Sequence, residues 1–397
     1  MRRDAGRFAS LGILAVVVVA CSGPILANPP ASQPVVPTTS PMPSRLPDPQ
    51  PIVFPRDDGA HDRLTEWWYY TGHLADDAGG RWGFEFVIFR AERGGFPVTW
   101  ASHFALTDEV AGTFRYDQRT VVGPRVDQSA ENALPFLFVV PDPNALVYTE
   151  PTPQASIETG TLLSTTWAMA GDAAGSSDFT AAFDAGRLGV QLHADAGSGR
   201  PPVLHMGNGW IDFGPAGGSY YYSRPRLTVT GNLAADRRAH PVHGTAWFDH
   251  QWGDFISVGG GGWDWFAVNL DDGTDLTISL VRAVDGSTPL VYGTLVDAAG
   301  RATNLDRSAF EVMADPARTW TSPATGAIYP AGWTIRIPGQ GLVIDLTPTV
   351  ADQELDTRAT TGVVYWEGSQ VVSATRNGVP VGGQAYVELT GYSPAAP

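Results

Sequence analysis

Hydrophobic and polar residues alternate in short runs along most of the chain from Trp67 onward. Because successive side chains of a strand point to opposite faces, this alternation predicts half-buried β-strands, and the 3.6-residue period of helices is almost absent. Gly, Asp, Asn and Pro separate the runs, as is typical of all-β sandwiches and barrels. Closure into barrels is favoured because it removes exposed strand edges. The candidate strands are residues 82–90, 161–170, 220–222, 227–231, 276–282, 291–296, 334–337, 342–346 and 385–389.

One part of this pattern occurs twice. Residues 67–90 and residues 263–282 each contain paired aromatics, a Leu before an acidic turn with Gly, and a strand that ends on Arg. The similarity indicates two related all-β units joined near residues 231–253. Chance similarity between two aromatic hairpins is the alternative. We expect an N-terminal barrel over residues 53–240 and a C-terminal barrel over residues 241–397.

The N-terminus has the features of an export signal. Three Arg residues precede an apolar run over residues 11–20, which is too short to span a bilayer as a helix. Small residues then lead to Cys21, as in a bacterial lipobox, and this is the only cysteine. We therefore predict a lipoprotein signal peptide over residues 1–21, with Cys21 as the lipidated residue, and a Pro-rich linker over residues 22–52. The protein is expected on the outer face of a membrane, held by its lipid anchor; ordinary secretion is the alternative.

The charge of the chain excludes several classes of function. The formal net charge is −16, and all 25 basic residues are Arg. A nucleic-acid partner is not expected, because binding to phosphates needs a basic face. The absence of Lys excludes Schiff-base chemistry and a P-loop lysine. Hydrophobic residues form 43% of the chain and charged residues 17%, which is ample for a buried core.

Candidate chemistry is concentrated where polar residues and aromatics lie together. In residues 247–252, a carboxylate and an imidazole stand among Trp residues, so we take Asp249, His250 and Trp252 as candidate catalytic residues. On a strand, Asp249 faces one side while His250 and Trp252 face the other. Buried Asp and His can equally bridge strands at a domain junction. The candidate ligand-binding residues are Trp67, Trp68, Tyr70, His103, Trp247, Trp263 and Trp265.

Other chemistries have weaker support. The eight His residues are scattered without a known ligand spacing, so no metal is expected. No Gly-x-Ser-x-Gly elbow appears and no Gly-rich loop opens a helix, so we also expect no nucleotide cofactor. Residues 259–262 are four consecutive Gly, which is typical of a gating loop or a plain linker.

Nine stretches of the chain resemble a known family in consistent order over roughly residues 55–393. The sequence is similar to the lipocalin-like proteins related to carotenoid 1,2-hydratase (hydroxyneurosporene synthase), above all to the AttH-like branch, often described as secreted hydrolases. The resemblance implies two lipocalin-like antiparallel β-barrel domains packed side by side. The matching stretches are residues 66–74, 102–108, 221–227, 249–253, 263–266, 329–333, 352–355, 365–368 and 386–392.

The resemblance also implies site residues. The hydratases add water to the terminal double bond of an acyclic carotenoid without a redox cofactor, and the His and Trp of their Asp-His-Asn-Trp segment correspond to His250 and Trp252, with Gln251 in place of Asn. The hydratases also need a Tyr-x-Asp pair on a later strand. Judged by the spacing from His250, Thr277 and Ser279 occupy the two positions of that pair in this chain, so both the Tyr and the Asp are replaced.

Three functions follow as hypotheses. The first is a membrane-anchored, exported lipocalin-like protein that binds an apolar lipid or isoprenoid (carotenoid-like) molecule. The second is a cofactor-independent hydratase or hydrolase of an isoprenoid-type substrate that uses Asp249 or His250. The third is a purely structural envelope protein.

Overall fold

The protein is built almost wholly of antiparallel strands in two large sheets. The computed structural model describes residues 46–143, 164–197, 200–235, 238–255 and 260–393. Over these residues the predicted all-β class is confirmed, and the two sheets curl into barrels or half-barrels that lie side by side. Cys21, the signal peptide and most of the Pro-rich linker lie outside the described residues.

The first sheet has twelve strands. They are β1 Thr65–Ala75, β2 Arg81–Ala91, β3 Thr99–Asp108, β4 Thr113–Val122, β5 Phe136–Val140, β6 Trp167–Gly171, β7 Ser177–Phe183, β8 Leu188–Asp195, β9 Val203–Leu204, β10 Trp210–Asp212, β11 Gly218–Ala235 and β12 Arg238–Gly253. Their main order is β4-β3-β2-β1-β12-β11-β8-β7-β6-β5, and β9 and β10 pair with β11.

The remaining strands form an eleven-stranded second sheet, apart from β18 and β19, which pair with each other. They are β13 Gly260–Leu270, β14 Asp275–Ala283, β15 Leu290–Val296, β16 Ala302–Leu305, β17 Glu311–Ala314, β18 Thr319–Thr321, β19 Ile328–Pro330, β20 Trp333–Ile337, β21 Leu342–Pro348, β22 Glu354–Asp356, β23 Val364–Arg376, β24 Val379–Val381 and β25 Gly383–Thr390. The main order is β16-β15-β14-β13-β25-β23-β21-β20-β17.

Helices in the described residues are short. The α-helix α1 covers Ser129–Asn132, and the 3-10 helices are Arg56–Asp58, Pro124–Val126, His205–Gly207, Gly214–Ala216, Arg307–Ala309 and Pro338–Gln340. None of the helices in this part of the chain has the length and apolar character needed to cross a membrane.

The two repeated sequence segments occupy matching places. Each is the first hairpin of its sheet, and each first strand pairs both with the next strand and with the last strand in sequence: β1 with β2 and β12, β13 with β14 and β25. The turns of both hairpins contain a Gly with positive φ, Gly79 at +92° and Gly273 at +86°, a conformation that a side chain would strain. The matching connectivity supports the predicted duplication.

Most predicted strands coincide with observed ones, with two differences. The segments predicted at 220–222 and 227–231 belong to the single long strand β11, which a register shift between Arg224 and Leu227 interrupts. The segment predicted at 161–170 begins outside the described residues, and β6 starts at Trp167. The predicted boundary between residues 240 and 241 falls inside β12, all of which pairs within the first sheet.

Candidate active site between the two sheets

Strand β12 has a different polar environment on each of its faces. Successive side chains of the strand point to opposite faces, so Asp249 and Gln251 lie on the face toward the second sheet, whereas His250 and Trp252 point into the first. In register, Asp249 lies between Tyr69 on β1 and Ser223 on β11. The side chains of the predicted catalytic segment are therefore divided between two locations.

Two rows of residues define the interface between the sheets. Ser223, Asp249 and Tyr69 form the row on the first sheet. The second sheet contributes a row across four strands, Ser279, Trp265, Glu388 and Glu367. Two hydrogen bonds join the sheets. The Tyr69 hydroxyl donates to Glu367 Oε1 at 2.8 Å, and Trp265 Nε1 donates at 3.1 Å to the hydroxyl of Tyr221, which lies on β11 two residues before Ser223.

The carboxyl of Asp249 is buried, with only 3% of the residue exposed, and has three donors. Trp247 Nε1 and the Ser223 hydroxyl donate to Oδ1, and the Tyr221 hydroxyl donates to Oδ2. Burial raises the pKa of Asp249 to about 7, although the three hydrogen bonds act in the opposite direction. The acid is thus poised between its two protonation states near neutral pH.

His205 links this carboxyl to the second sheet. Its Nε2 lies 2.7 Å from the Ser223 hydroxyl, and its Nδ1 lies 3.0 Å from the Thr294 hydroxyl. Burial lowers the pKa of His205 to about 3, so the ring is neutral. A continuous chain of hydrogen bonds runs from Thr294 through His205 and Ser223 to Asp249.

Three further carboxyls share the interface. Burial raises the pKa of Glu388 to about 7, that of Glu85 to about 8 and that of Glu367 well above its usual range, and each is raised further by the other acids. Tyr365 donates to Glu85 Oε1 at 2.8 Å, while the Oε2 atoms of Glu85 and Glu367 have no hydrogen-bond partner. The interface therefore favours neutral carboxylic acids.

Aromatic rings surround these acids. Tyr69 and Trp247 meet the Trp265 ring edge to face, at centroid distances of 5.4 Å and 6.1 Å. Trp67, Phe89 and Trp263 pack on the same cluster but keep part of their surface exposed. Partly exposed aromatics beside buried acids can bind an apolar molecule and stabilise positive charge.

The opposite face of β12 carries a cluster inside the first sheet. Glu66 Oε1 accepts from His61 Nδ1 at 2.7 Å and from His250 Nε2 at 2.9 Å. The His61 ring stacks on Trp252 with 4.1 Å between centroids, and Trp68 stacks on His250 at 4.6 Å. Glu66 and His250 have no exposed surface, whereas a fifth of the His61 side chain is exposed.

Charges in this inner cluster compensate one another. Burial acts to raise the pKa of Glu66 and to lower that of His61, but their mutual attraction, together with Asp57 beside His61 and His250 beside Glu66, outweighs it, so the carboxylate and the imidazolium are favoured. Burial lowers the pKa of His250, which stays neutral. The three ligand atoms lie within 4.8 Å of one another, a spacing that can hold a metal ion. Because both imidazoles already hydrogen-bond to the carboxylate, we interpret the cluster as an ion pair with a neutral His.

The predicted ligand-binding residues fall into the same two groups. Trp67, Trp247, Trp263 and Trp265 lie together at the interface. His103 is also between the sheets, with Nδ1 2.8 Å from the Tyr365 hydroxyl. In contrast, Trp68 and Tyr70 are in the core of the first sheet, as are His250 and Trp252. Four Gly were predicted as a loop; residue 259 is outside the described range, and residues 260–262 begin β13.

Several site residues were not predicted. The interface acids Glu85, Glu367 and Glu388 each stand as a single carboxyl within an apolar strand, and this unusual placement was an available signal. Tyr221 and Ser223 lie in a stretch that overlaps a predicted strand and is similar to the family, without a predicted role for either side chain. Glu66 lies in a polar and aromatic stretch that begins at His61, but its contact with His250 is distant in sequence, and His205 carries no local signal because its partners are also distant.

Comparison with known proteins identifies relatives over most of the chain. The family model described as AttH-like matches residues 45–392. Kievitone hydratase from Fusarium solani subsp. phaseoli is 25% identical over 191 residues, which are 47% of this chain and 53% of that protein. The chain therefore matches only about half the length of this curated relative.

Solved structures share the fold. A putative AttH from Nitrosomonas europaea has a TM-score of 0.70 and 30% identity, covering 91% of this chain and 100% of that one. Kievitone hydratase from Nectria haematococca has a TM-score of 0.61 at 14% identity, covering 86% of this chain and 93% of that one, a likeness of fold alone. The family match extends over both sheets and the acids between them: this chain belongs to the AttH-like family.

Proposed function

We propose that this protein is a cofactor-independent hydratase that adds water to a carbon–carbon double bond of an apolar, isoprenoid-type substrate between its two sheets. The observation that carries the proposal is the buried Asp249 carboxyl, which lies among indole rings with its pKa raised to about 7. An acid with such a pKa retains a proton near neutral pH and can donate it. The similarity to a hydratase supports the same class of reaction.

The chemistry needs only an acid, a sheltered cation and water. The O–H bond of Asp249 breaks, and its proton forms a C–H bond at the less substituted alkene carbon, using the electron pair of the double bond. The other carbon becomes a cation, which the faces of Trp247 and Trp265 stabilise. A water oxygen then forms the C–O bond, one of its O–H bonds breaks, and that proton restores the acid form of Asp249. One alkene and one water give one alcohol, with no oxidant or reductant.

The Tyr221–Asp249 pair supports this assignment. The hydratases implied by the sequence resemblance need a Tyr-x-Asp pair, and Thr277 and Ser279 stand at that place. Ser279 pairs with Trp265, whose Nε1 donates to the same Tyr221 hydroxyl that donates to Asp249. Tyr221 and Asp249 lie on the first sheet, which faces the strand of Ser279. We propose that they act as the proton-donating pair in place of the missing Tyr-x-Asp pair.

Asp249→Asn tests the proposal. The substitution keeps the size of the side chain and a hydrogen-bond acceptor but removes the transferable proton. With lycopene and squalene dispersed in detergent as acyclic isoprenoid substrates, we expect the full chain to form alcohols that carry the mass of one added water. The variant should lose about 10²–10⁴-fold in kcat.

The matched control is Asp178→Asn, because Asp178 lies on β7 with its side chain mostly exposed to solvent. This variant should retain full turnover. A wild-type protein that forms no alcohol from any acyclic isoprenoid, or an Asp249→Asn variant with undiminished turnover, would contradict the proposal.

Binding of an apolar ligand without catalysis is the second candidate. The partly exposed rings of Trp67, Phe89 and Trp263 favour it, since they offer an apolar surface next to the interface. Mass spectrometry of an organic extract of the purified protein tests it. A stoichiometric apolar molecule together with absent turnover would favour the binder over the hydratase.

We also propose that the protein acts outside the cytoplasm, held on a membrane by a lipid on Cys21. The lipobox-like sequence before this cysteine is the support. The Cys21→Ala variant should then move from the membrane fraction to the soluble fraction and lose labelling by a fatty-acid analogue. Equal membrane association of both proteins would contradict the anchor.

A further inference from the structure

We infer that Glu388 is a second catalytic carboxyl, contributed by the second sheet, which takes the proton from the attacking water; this role rests on the proposed hydratase function. Glu388 lies on β25 between Trp265 on β13 and Glu367 on β23. Asp249, on the first sheet, is close enough for its charge to act on Glu388. The two carboxyls thus approach one interface from different sheets.

Exposure distinguishes Glu388 from its neighbours. Glu85 and Glu367 are each 1% exposed and accept hydrogen bonds from the Tyr365 and Tyr69 hydroxyls. Glu388 keeps part of its surface accessible, although both of its neighbours on β25, Val387 and Leu389, are fully buried. A Glu residue that keeps some accessible surface within an otherwise buried row can have water beside it.

The aromatic surroundings place Glu388 beside the apolar surface. Its paired residue Trp265 belongs to the ring cluster, and Trp263, two residues earlier on β13, hydrogen-bonds to the Glu388 carboxyl and is itself partly exposed. A substrate double bond that lies against these rings can therefore have Asp249 on one side and Glu388, with a water, on the other.

Repulsion by the charge of Asp249 makes the Glu388 carboxyl harder to ionise. The charge of Asp249 acts on Glu388, and the charge of Glu388 in turn acts on titratable groups of the surrounding strands, namely Glu367, Glu85, Tyr69 and Tyr365. Ionising one acid of such a set makes ionising the next harder, so one proton is retained within the pair. Burial raises the pKa of both Asp249 and Glu388 to about 7, which makes one acid and one base available at the same pH.

The resulting cycle is balanced. After Asp249 gives its proton to the alkene, the water oxygen forms the C–O bond, one water O–H bond breaks, and the proton goes to the Glu388 carboxylate. When the alcohol leaves, the proton passes from Glu388 to the Asp249 carboxylate through a water molecule. Both carboxyls are then back in their starting states, and the net change is the addition of one water.

Deuterium oxide separates the two roles. With lycopene or squalene in deuterium oxide, reversible protonation by Asp249 exchanges deuterium into the remaining alkene, whereas water addition yields deuterated alcohol. In Glu388→Gln we expect alkene exchange within about threefold of wild type and alcohol formation about 10²-fold slower. Asp249→Asn should lose both. The control Glu311→Gln, at an exposed position on β17, should lose neither.

Each other result has a definite meaning. If Glu388→Gln forms alcohol at the wild-type rate while Asp249→Asn does not, the role of Glu388 is wrong and the hydratase function stands. If Glu388→Gln loses exchange as well as alcohol, Glu388 is the acid and the assignment is overturned. If wild type shows neither exchange nor alcohol, the hydratase function and the role of Glu388 both fail.

The pH profile of the wild-type enzyme provides a measurement that does not depend on folding of the variant. An acid–base pair requires kcat/KM to rise and then fall with pH around neutrality. A profile that stays flat on its acidic side would overturn the base role, because no carboxylate would then need to form.

Discussion

The two faces of β12 use buried polar groups in opposite ways. On the inner face, the Glu66 carboxylate is held between His61 and His250, so charge is balanced where it is buried. On the interface face, Asp249 has hydroxyl and indole donors and lies near other acids, and burial favours the neutral form. Neighbouring residues of one strand thus give a structural ion pair on one side and a proton donor on the other.

Two of the predicted catalytic residues lie on the inner face of β12. Resemblance and local sequence both favour His250 and Trp252, yet inside the first sheet His250 packs on Trp68 and Trp252 packs on His250. We therefore expect them to support the strand that carries Asp249. A replacement on the inner face should act first on stability, and one on the interface face should act first on turnover.

The largest effect is expected from Glu66→Gln. This change removes one of the two carboxylates that balance His61, since Asp57 Oδ1 stays 3.5 Å from His61 Nε2, and it leaves the buried His250 with a weaker acceptor. Breaking a buried ion pair typically costs about 3–5 kcal/mol. Urea unfolding followed by tryptophan fluorescence should show this loss.

A matched comparison uses Glu131→Gln, which alters an exposed acid on α1. It should unfold at the wild-type urea concentration. A Glu66→Gln protein as stable as wild type would mean that the inner cluster does not contribute as an ion pair, and the distinction between the two faces would be lost.

The next effect concerns pH, with opposite signs on the two faces. The pKa of Asp249 is about 7 in the folded protein and about 4 when unfolded, so between these values the folded state binds more protons. Its contribution to stability is complete below pH 4 and is lost as pH rises to 7, by about 2–4 kcal/mol. The pKa of Glu66 is lowered, so its contribution is present above its unfolded pKa and is lost as pH falls.

Thermal melts across this range test the signs. Asp249→Asn should reduce the decline in stability between pH 4 and pH 7, because the amide does not titrate. Glu66→Gln should leave that decline in place and reduce the loss at low pH. An Asp249→Asn protein with the wild-type pH slope would show that this carboxyl is ionised throughout.

The sequence predicts part of this arrangement for a clear physical reason. Strand alternation alone predicts that Asp249 and His250 face opposite sides, and the structure confirms it. The partners depend on register between distant strands: Glu66 meets His250 across 184 positions, and Trp265 meets Tyr221 only through packing of the two sheets. Local pattern contains no information on either contact.

The boundary between the two domains shows the same limit. The repeated hairpins predict two units, but the pairing of β12 with β1 keeps residues up to Gly253 in the first sheet. The strand is long and continuous through residue 240. The first unit ends where β12 stops pairing with β1, and this pairing is a long-range contact that the local sequence does not show.

The smallest effect is expected from Tyr221→Phe, which separates positioning of the acid from proton donation. Loss of the hydroxyl removes one donor from Asp249 Oδ2 and leaves Trp265 Nε1 without its acceptor, at a cost of about 1–2 kcal/mol. Because one hydrogen bond that favours the carboxylate is lost, the pKa of Asp249 should rise further. The pH at which kcat/KM begins to fall should therefore move upward, with a loss of turnover far smaller than in Asp249→Asn.

Tyr220→Phe is the control, because its hydroxyl bonds to Asp48 away from the interface row. An unchanged pH profile in Tyr221→Phe would show that Asp249 does not set this limit, and the two faces of β12 would then differ in packing alone.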